Sequence, residues 1–292
     1  MSVFPVRTDL ALEAREFVEE ADKKLHGVIV EEATDEESDV HITKVQITSK
    51  NGAKAIGKPM GTYITLEAPH LDDADDDYHS EVSEVMARYM KELLPKTQKE
   101  KSILMVGLGN RDVTADALGP MVADNLFITR HMLEQFGKAA YEGENVPKIS
   151  AIVPGVMGKT GMESVEIVKG IVAQTAPDVI VVVDALAARS TKRLNRTIQI
   201  TNTGIHPGSG VGNHREAINE ECLGIPVIAI GVPTVVDAAT IIRDVGKMDI
   251  APGEISHGEM NNMYVTSKDI DAIVKRLSYT LSEGLNMAFA GE

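Results

Sequence analysis

The sequence predicts a doubly wound α/β fold: a mostly parallel sheet with helices on both faces, joined by an N-terminal helix and a small antiparallel strand region. Three observations predict it. Short apolar runs at 103–106, 149–153, 179–183 and 227–230 alternate with stretches of helical spacing near 118–136, 162–173 and 234–243. The run Val179-Ile180-Val181-Val182-Val183 is apolar on both faces, as a central parallel strand covered by helices on each side must be. The first of these strands ends in a glycine turn, Gly107-Leu108-Gly109-Asn110, where open α/β sheets build their sites.

The remaining elements follow in chain order. Leu10, Ala14, Phe17, Val18, Ala21 and Leu25 recur at helical spacing, which predicts an amphipathic helix over 10–25. Residues 40–47 alternate like a half-buried strand, and 62–66 read as another. Two acidic stretches, 31–39 and 72–77, accompany these strands. The second lacks the central glycine and distal glutamate of a calcium loop and reads as a solvated loop. A helix is predicted over 80–94, closed by Pro95. The strand at 197–200 alternates and is placed nearer an edge. The segment 267–288, with Ile270, Ile273, Val274, Leu277, Leu281 and Leu285, is predicted to be a long covering helix. Residues 10–292 are read as a single domain, with 10–100 as the helix and strand region and 101–292 as the doubly wound core.

At 292 residues and 43% hydrophobic content the chain can bury a full core, and with 4% aromatics and no Trp that core is aliphatic. The formal charge of −15, with no Lys/Arg-rich segment, argues against nucleic acid as a direct partner and suits a basic or neutral protein substrate. A single cysteine, Cys222, excludes an internal disulfide and fits a reducing cytosol. It follows Glu220 and Glu221, which would raise a thiol pKa, so a buried structural cysteine is expected. No apolar run reaches membrane-spanning length and the N-terminus lacks a secretory apolar stretch, so a cytoplasmic protein with no membrane partner is expected.

Four loops at the carboxyl ends of the predicted strands form the candidate site. They are 107–116, 154–161, 184–190 and 202–213, each carrying glycines or functional side chains. The first delivers Asp112 and Asp116 where a nucleotide-binding turn would offer backbone amides to phosphate, which points to acid–base or metal chemistry. Asp184 ends the apolar run at the mouth of the sheet. It reads equally as a helix cap or as half of a carboxylate pair with Asp116, in which one acid holds a proton while the other activates water. Asp116 itself could be an acid stabilised in a first helical turn, and Asp112 a cap. His206, before Pro207, is a candidate metal ligand or proton carrier. Gly208-Ser209-Gly210 lies in a backbone suited to close approach to a ligand. That segment is not a P-loop, the 107–116 turn lacks the third glycine of a dinucleotide fingerprint, and no serine sits in a Gly-x-Ser-x-Gly elbow. A nucleotide- or phosphate-binding protein remains the alternative of a different class.

Several longer stretches occur in order: Val6-Arg7-Thr8-Asp9-Leu10-Ala11-Leu12-Glu13-Ala14-Arg15, Gly107-Leu108-Gly109-Asn110-Arg111, Pro154-Gly155-Val156-Met157, the run from Asn202 to Asn213, and Gly231-Val232-Pro233-Thr234-Val235-Val236-Asp237. Together they resemble the bacterial spore germination proteases. The resemblance implies an endopeptidase that degrades the small acid-soluble proteins of the spore core during germination. It also implies an inactive precursor, a homotetramer, and loss of a short propeptide by self-cleavage. Family substrates are cut after an acidic residue and before an apolar residue followed by Ala. Thr8-Asp9-Leu10-Ala11 has that form, so the resemblance implies a propeptide of residues 1–9 and cleavage between Asp9 and Leu10. The Gly-Leu-Gly-Asn turn is also similar to that of hydrogenase-maturation endopeptidases, where acids at the positions of Asp116 and Asp184, with a histidine, bind a metal. In germination proteases the same two positions are proposed as an aspartic-type catalytic pair without a cofactor. The alternative is a divalent metal such as zinc held by Asp116, Asp184 and His206. Gly107, Gly109, Asn110, Arg111, His206, Gly208, Ser209 and Gly210 are assigned to positioning the substrate.

Overall fold

The computed structural model describes residues 10–13, 26–96, 101–207, 215–238, 241 and 263–290. Among the described residues nine strands form one sheet: β1 (Val28–Asp35), β2 (Val40–Ile47), β3 (Gly61–Glu67), β4 (Ser102–Gly107), β5 (Lys148–Ile152), β6 (Val179–Ala188), β7 (Thr197–Thr201), β8 (Val227–Asp237) and β9 (Tyr264–Val265). Their order is β1-β2-β3-β7-β8-β6-β4-β5, with β9 on β8. Strands β5, β4, β6 and β8 are parallel neighbours, as the doubly wound reading requires. The rest of the sheet is antiparallel, which corrects the expectation of a mostly parallel one. The turn between β1 and β2 is too short for the crossover that parallel pairing needs. The N-terminal strands are also no appendage. β3 pairs with β7 from Tyr63 opposite Thr201 to Glu67 opposite Thr197 and continues the core sheet.

Strand alternation sorts the core onto two faces. Ile103, Met105, Val179, Val181 and Val183 face one side, Leu104, Val106, Ile180 and Val182 the other. The first side is covered by the helices Asp76–Leu93, Leu118–Asn125 and Ile270–Phe289. In the last of these Leu277, Leu281 and Leu285 are fully buried, each contributing about 1.5–3 kcal/mol of apolar burial. The second side is covered by Ser164–Thr175 through Val165 and Val168. That helix begins in a capping box between Glu163 and Glu166.

Several elements differ from expectation for visible reasons. Asp76 and Asp77 of the acidic run 72–77 are helical, because the Asp75 side chain accepts from the backbone N–H groups of Asp77 and Tyr78 and starts the helix at Asp76 rather than at 80. Residues 31–35 of the first acidic stretch belong to β1, whose exposed charges suit an edge strand. The helix expected over 118–136 is two, Leu118–Asn125 and Arg130–Phe136. Between them the buried Thr129 hydroxyl donates to the Pro147 carbonyl (2.5 Å) and accepts from the Ile149 N–H (2.8 Å), pulling the chain onto β5. β7 lies inside the sheet rather than near an edge, with all five residues buried. Residues 234–237, expected to be helical, are the end of β8, their β-branched run extending the strand past a bulge at Thr234, which lies between Pro233 opposite Leu186 and Val235 opposite Ala187 of β6. Cys222 is exposed, not buried, on the short helix Glu220–Leu223. Of the helix expected over 10–25, the described residues are 10–13, and 11–13 are helical.

Those four residues are firmly held. Leu10 is 0% exposed and packs with Leu186, Ala188 and Val236. The Ala11 N–H donates to Gln199 Oε1 at 2.6 Å. Glu13 is 1% exposed. Its carboxylate accepts from the backbone N–H groups of Arg189 (2.8 Å) and Ser190 (3.2 Å) and pairs with Arg193 (3.5 Å), which also binds Glu67 (2.9 Å). Glu13→Ala removes the acceptor for two backbone donors and for a half-buried guanidinium. It is expected to cost about 2–4 kcal/mol of stability, read as a lower urea midpoint.

Candidate active site

The site is built at the carboxyl end of the parallel strands. β4 ends at Gly107, and the Leu108 N–H donates to the Val183 carbonyl of β6 at 2.8 Å. Gly109 follows at φ +119°, where a Cβ would lie 1.9 Å from the Asp116 carbonyl oxygen. The loop then folds back on itself. Asn110 N–H donates to the Asp116 carbonyl (2.9 Å), Asp116 N–H to the Val113 carbonyl (2.8 Å) and Asp112 N–H to Asn110 Oδ1 (3.2 Å). Asp116 closes the short 3-10 helix Thr114–Asp116, which lies against β6 and β8.

Two ion pairs hold the loop's outer side. Arg111 grips Asp124 with both terminal nitrogens (2.5 and 2.8 Å) and reaches the Pro120 carbonyl (3.4 Å). Asp112 pairs with Lys159, joining this loop to the helix Met157–Thr160 that follows β5. From inside, the Thr234 hydroxyl of β8 donates to the Ala115 carbonyl at 2.6 Å.

Burial pushes the Asp116 carboxyl above the ordinary carboxylate range, against the pull of the Asn110 backbone N–H and the positive charge of Arg215. Asp184 lies within β6, one residue beyond the pair formed by Val183 and Gly107 and opposite Gly231 of β8. Because β6 continues to Ala188, Asp184 does not cap a helix. It is 6% exposed, and its Oδ1 accepts from the Ala185 N–H at 3.0 Å. Asp184 is thus buried in the sheet, while Asp116 stands on the 3-10 turn that follows the neighbouring parallel strand β4.

The other candidates divide. His206 is exposed at the rim of a small cleft of about 70 Å³, which Leu186, Gln199, Thr201, Gly204 and Gly231 also line. Tyr63 forms part of its floor, its phenol pushed up to about 12 by burial and donating to the Pro59 carbonyl at 2.9 Å. Ile205 and Ile218 exchange backbone hydrogen bonds at the base of the loop that carries Gly208, Ser209 and Gly210. Those three residues lie outside the described residues, as does Asp9. Among the described residues no three His, Cys, Asp or Glu side chains gather into a set that could hold a metal ion, so Asp116, Asp184 and His206 do not form one. Nor is any helix among them long and apolar enough to cross a membrane.

Sequence reasoning missed Glu13, Gln199, Arg215 and Thr234. Each acts on a residue far away in the chain, and no local spacing signals such a partner. The glycine turn, by contrast, was readable because its partners are neighbours.

Fold and site together describe an α/β protein with acids at the carboxyl ends of its parallel strands, where such sheets hold their sites. Comparison with known proteins specifies which. The family model described as germination protease matches residues 7–250. The germination protease of Caldanaerobacter subterraneus subsp. tengcongensis is 42% identical over 313 residues, covering 98% of this chain and 94% of the relative. That of Clostridium perfringens is 43% identical, covering 98% and 95%, and that of Priestia megaterium 48% identical, covering 84% and 67%. Among solved structures, a NiFe hydrogenase maturation protease from Thermococcus kodakarensis matches with a TM-score of 0.34 at 18% identity, covering 68% of this chain and 98% of its own. The chain belongs to the germination protease family and is a peptidase.

Proposed function

We propose that the chain is an endopeptidase that initiates degradation of small acid-soluble spore proteins, with Asp116 and Asp184 as an aspartic pair. The observation that carries this reading is the contrast between an acid on the turn after β4 and an acid within the adjacent strand β6. Asp116 keeps its proton to higher pH than an ordinary carboxyl, and Asp184 is buried in the sheet. A raised carboxyl suits a general acid. In the proposed reaction Asp184 takes a proton from water as the water oxygen bonds to the scissile carbonyl carbon. Asp116 gives its proton to the departing amide nitrogen as the C–N bond breaks. The proton on Asp184 then returns to Asp116 or to solvent before the next turnover.

In this reading the 107–110 turn and the 204–213 loop align the substrate backbone and stabilise the oxyanion. His206, Gly208, Ser209 and Gly210 serve on the loop, and Arg111 serves by bracing the turn through Asp124. Residues 1–9 are a propeptide removed by self-cleavage between Asp9 and Leu10. The seat of Leu10 against Leu186, two residues beyond Asp184 on the same strand, supports that assignment. The working form is a homotetramer in the spore core, acting on protein rather than on nucleic acid or membrane.

The test is to incubate the full-length protein at mildly acidic pH, with and without chelator, and follow intact mass. Wild type is expected to lose residues 1–9 whether or not chelator is present, and Asp184→Asn to stay whole. Processing stopped by chelator and restored by zinc would transfer water activation to a metal. Failure to cleave either itself or an added spore protein would remove the reading.

A further inference from the structure

We infer that Thr234 is a positioning residue for Asp116, holding the turn that carries the carboxyl in register with β6. This rests on the proposed catalytic role of Asp116.

The turn has two kinds of support. Its own backbone bonds, Asn110 to Asp116 and Asp116 to Val113, fix its internal shape but not its place on the sheet. Placement comes from bonds to other elements. One is the Leu108 N–H to Val183 bond at the start of the turn. Another is the Thr234 hydroxyl, which reaches across from β8 to the carbonyl of Ala115, the residue immediately before Asp116. Thr234 is 1% exposed, so water does not compete for that hydroxyl, and a 2.6 Å bond in such surroundings is strong.

The donor is itself held. The Thr266 hydroxyl donates to the Thr234 carbonyl at 2.7 Å, and the buried Asn195 N–H donates to the neighbouring Pro233 carbonyl, also at 2.7 Å. Asn195 Nδ2 in turn reaches Ser267 Oγ at 2.7 Å. A chain of hydroxyls and amides thus runs from the start of the C-terminal helix, through β8, to the backbone beside Asp116. No acid, base or nucleophile takes part in it. Its product is a fixed position for one carboxyl, and misplacement of a reacting group by about 1 Å can cost as much as ~100-fold in rate.

Thr234→Val keeps the shape and β-propensity of the side chain and removes only the donor. Full-length protein would be assayed for self-processing and for steady-state cleavage of a peptide with the sequence of residues 6–15. Thr234→Ser, Thr234→Ala and Asp116→Asn would run alongside, each checked for melting temperature. The expected result is kcat lowered about tenfold or more in Thr234→Val and Thr234→Ala, KM within about twofold of wild type, and kcat largely restored in Thr234→Ser. If the Val variant does not fold, the Ser and Ala pair carries the same comparison. Full kcat in folded Thr234→Val or Thr234→Ala, a loss confined to KM, or failure of Ser to restore kcat would overturn the inference. Activity retained by Asp116→Asn would instead overturn the catalytic reading on which it rests.

Discussion

Asp116→Asn is expected to lower peptide cleavage by about 10³-fold or more, because it removes the proposed proton donor while leaving shape and turn geometry in place. The same substitution is expected not to destabilise the protein at neutral pH. The folded-state pKa of Asp116 is raised above its usual 3.8 by burial. Between those two values the folded state binds more protons than the unfolded one, so this group's contribution to stability falls as pH rises through that window. Above both values the ionised, half-buried carboxylate is a cost to folding that asparagine does not carry. The variant should therefore melt at the same temperature as wild type or higher at pH 7.5, and the advantage should vanish once the pH falls below the ordinary carboxyl range. A variant that is inactive only because it unfolds would contradict this account. So would one that keeps more than about a tenth of wild-type kcat, since loss of a general acid costs at least that much.

Gly119→Ala should have the largest effect on folding. Gly119 opens the helix that follows the Asp116 turn, and a Cβ there would lie 2.3 Å from the Leu108 carbonyl oxygen, 2.4 Å from the Val183 carbonyl oxygen and 2.6 Å from the Leu108 nitrogen. All three atoms are backbone, and the Leu108 nitrogen and Val183 oxygen are the two ends of the bond that ties the turn to β6. None can swing aside as a side chain would, so the helix must lift off the sheet. A loss of more than about 3 kcal/mol is expected, at the upper end of overpacking costs, and the protein would be recovered largely unfolded. Gly158→Ala is the matched control. It sits in the helix Met157–Thr160 with no atom within 4 Å of its added carbon, and should be neutral or stabilising by about 0.5–1 kcal/mol. Comparable urea midpoints for the two variants would refute the packing argument.

Much of the parallel core was legible because its signals are local. Strand β6 announces itself by five apolar residues in a row, and the helix Ile270–Phe289 by its spacing of Ile, Val and Leu. The turn at 107–110 was legible through its glycines. The failures are equally particular. Residues 234–237 share β-branched composition with a strand but sit where the alternating rhythm predicted a helix, and the bulge at Thr234 that keeps them in the sheet is set by pairing with β6, another part of the chain. β7 looks like an edge strand because Thr197, Gln199 and Thr201 are polar, yet β3 and β8 flank it on both sides and bury those residues.

By itself the sequence determined the glycine turn, the positions of the parallel core strands, and the family. These are properties of short windows, set by side-chain period, turn stereochemistry and residue type. Only the tertiary structure decided that the N-terminal strands extend the same sheet and that Asp184 is a buried strand residue rather than a helix cap. It also decided that burial raises Asp116, and that Glu13 and Thr234 brace the strand end and the turn. Those braces join residues 176 and 119 positions apart. A hydrogen bond across such a separation leaves no periodic trace in the chain, since it exists only once the sheet has brought its two ends together.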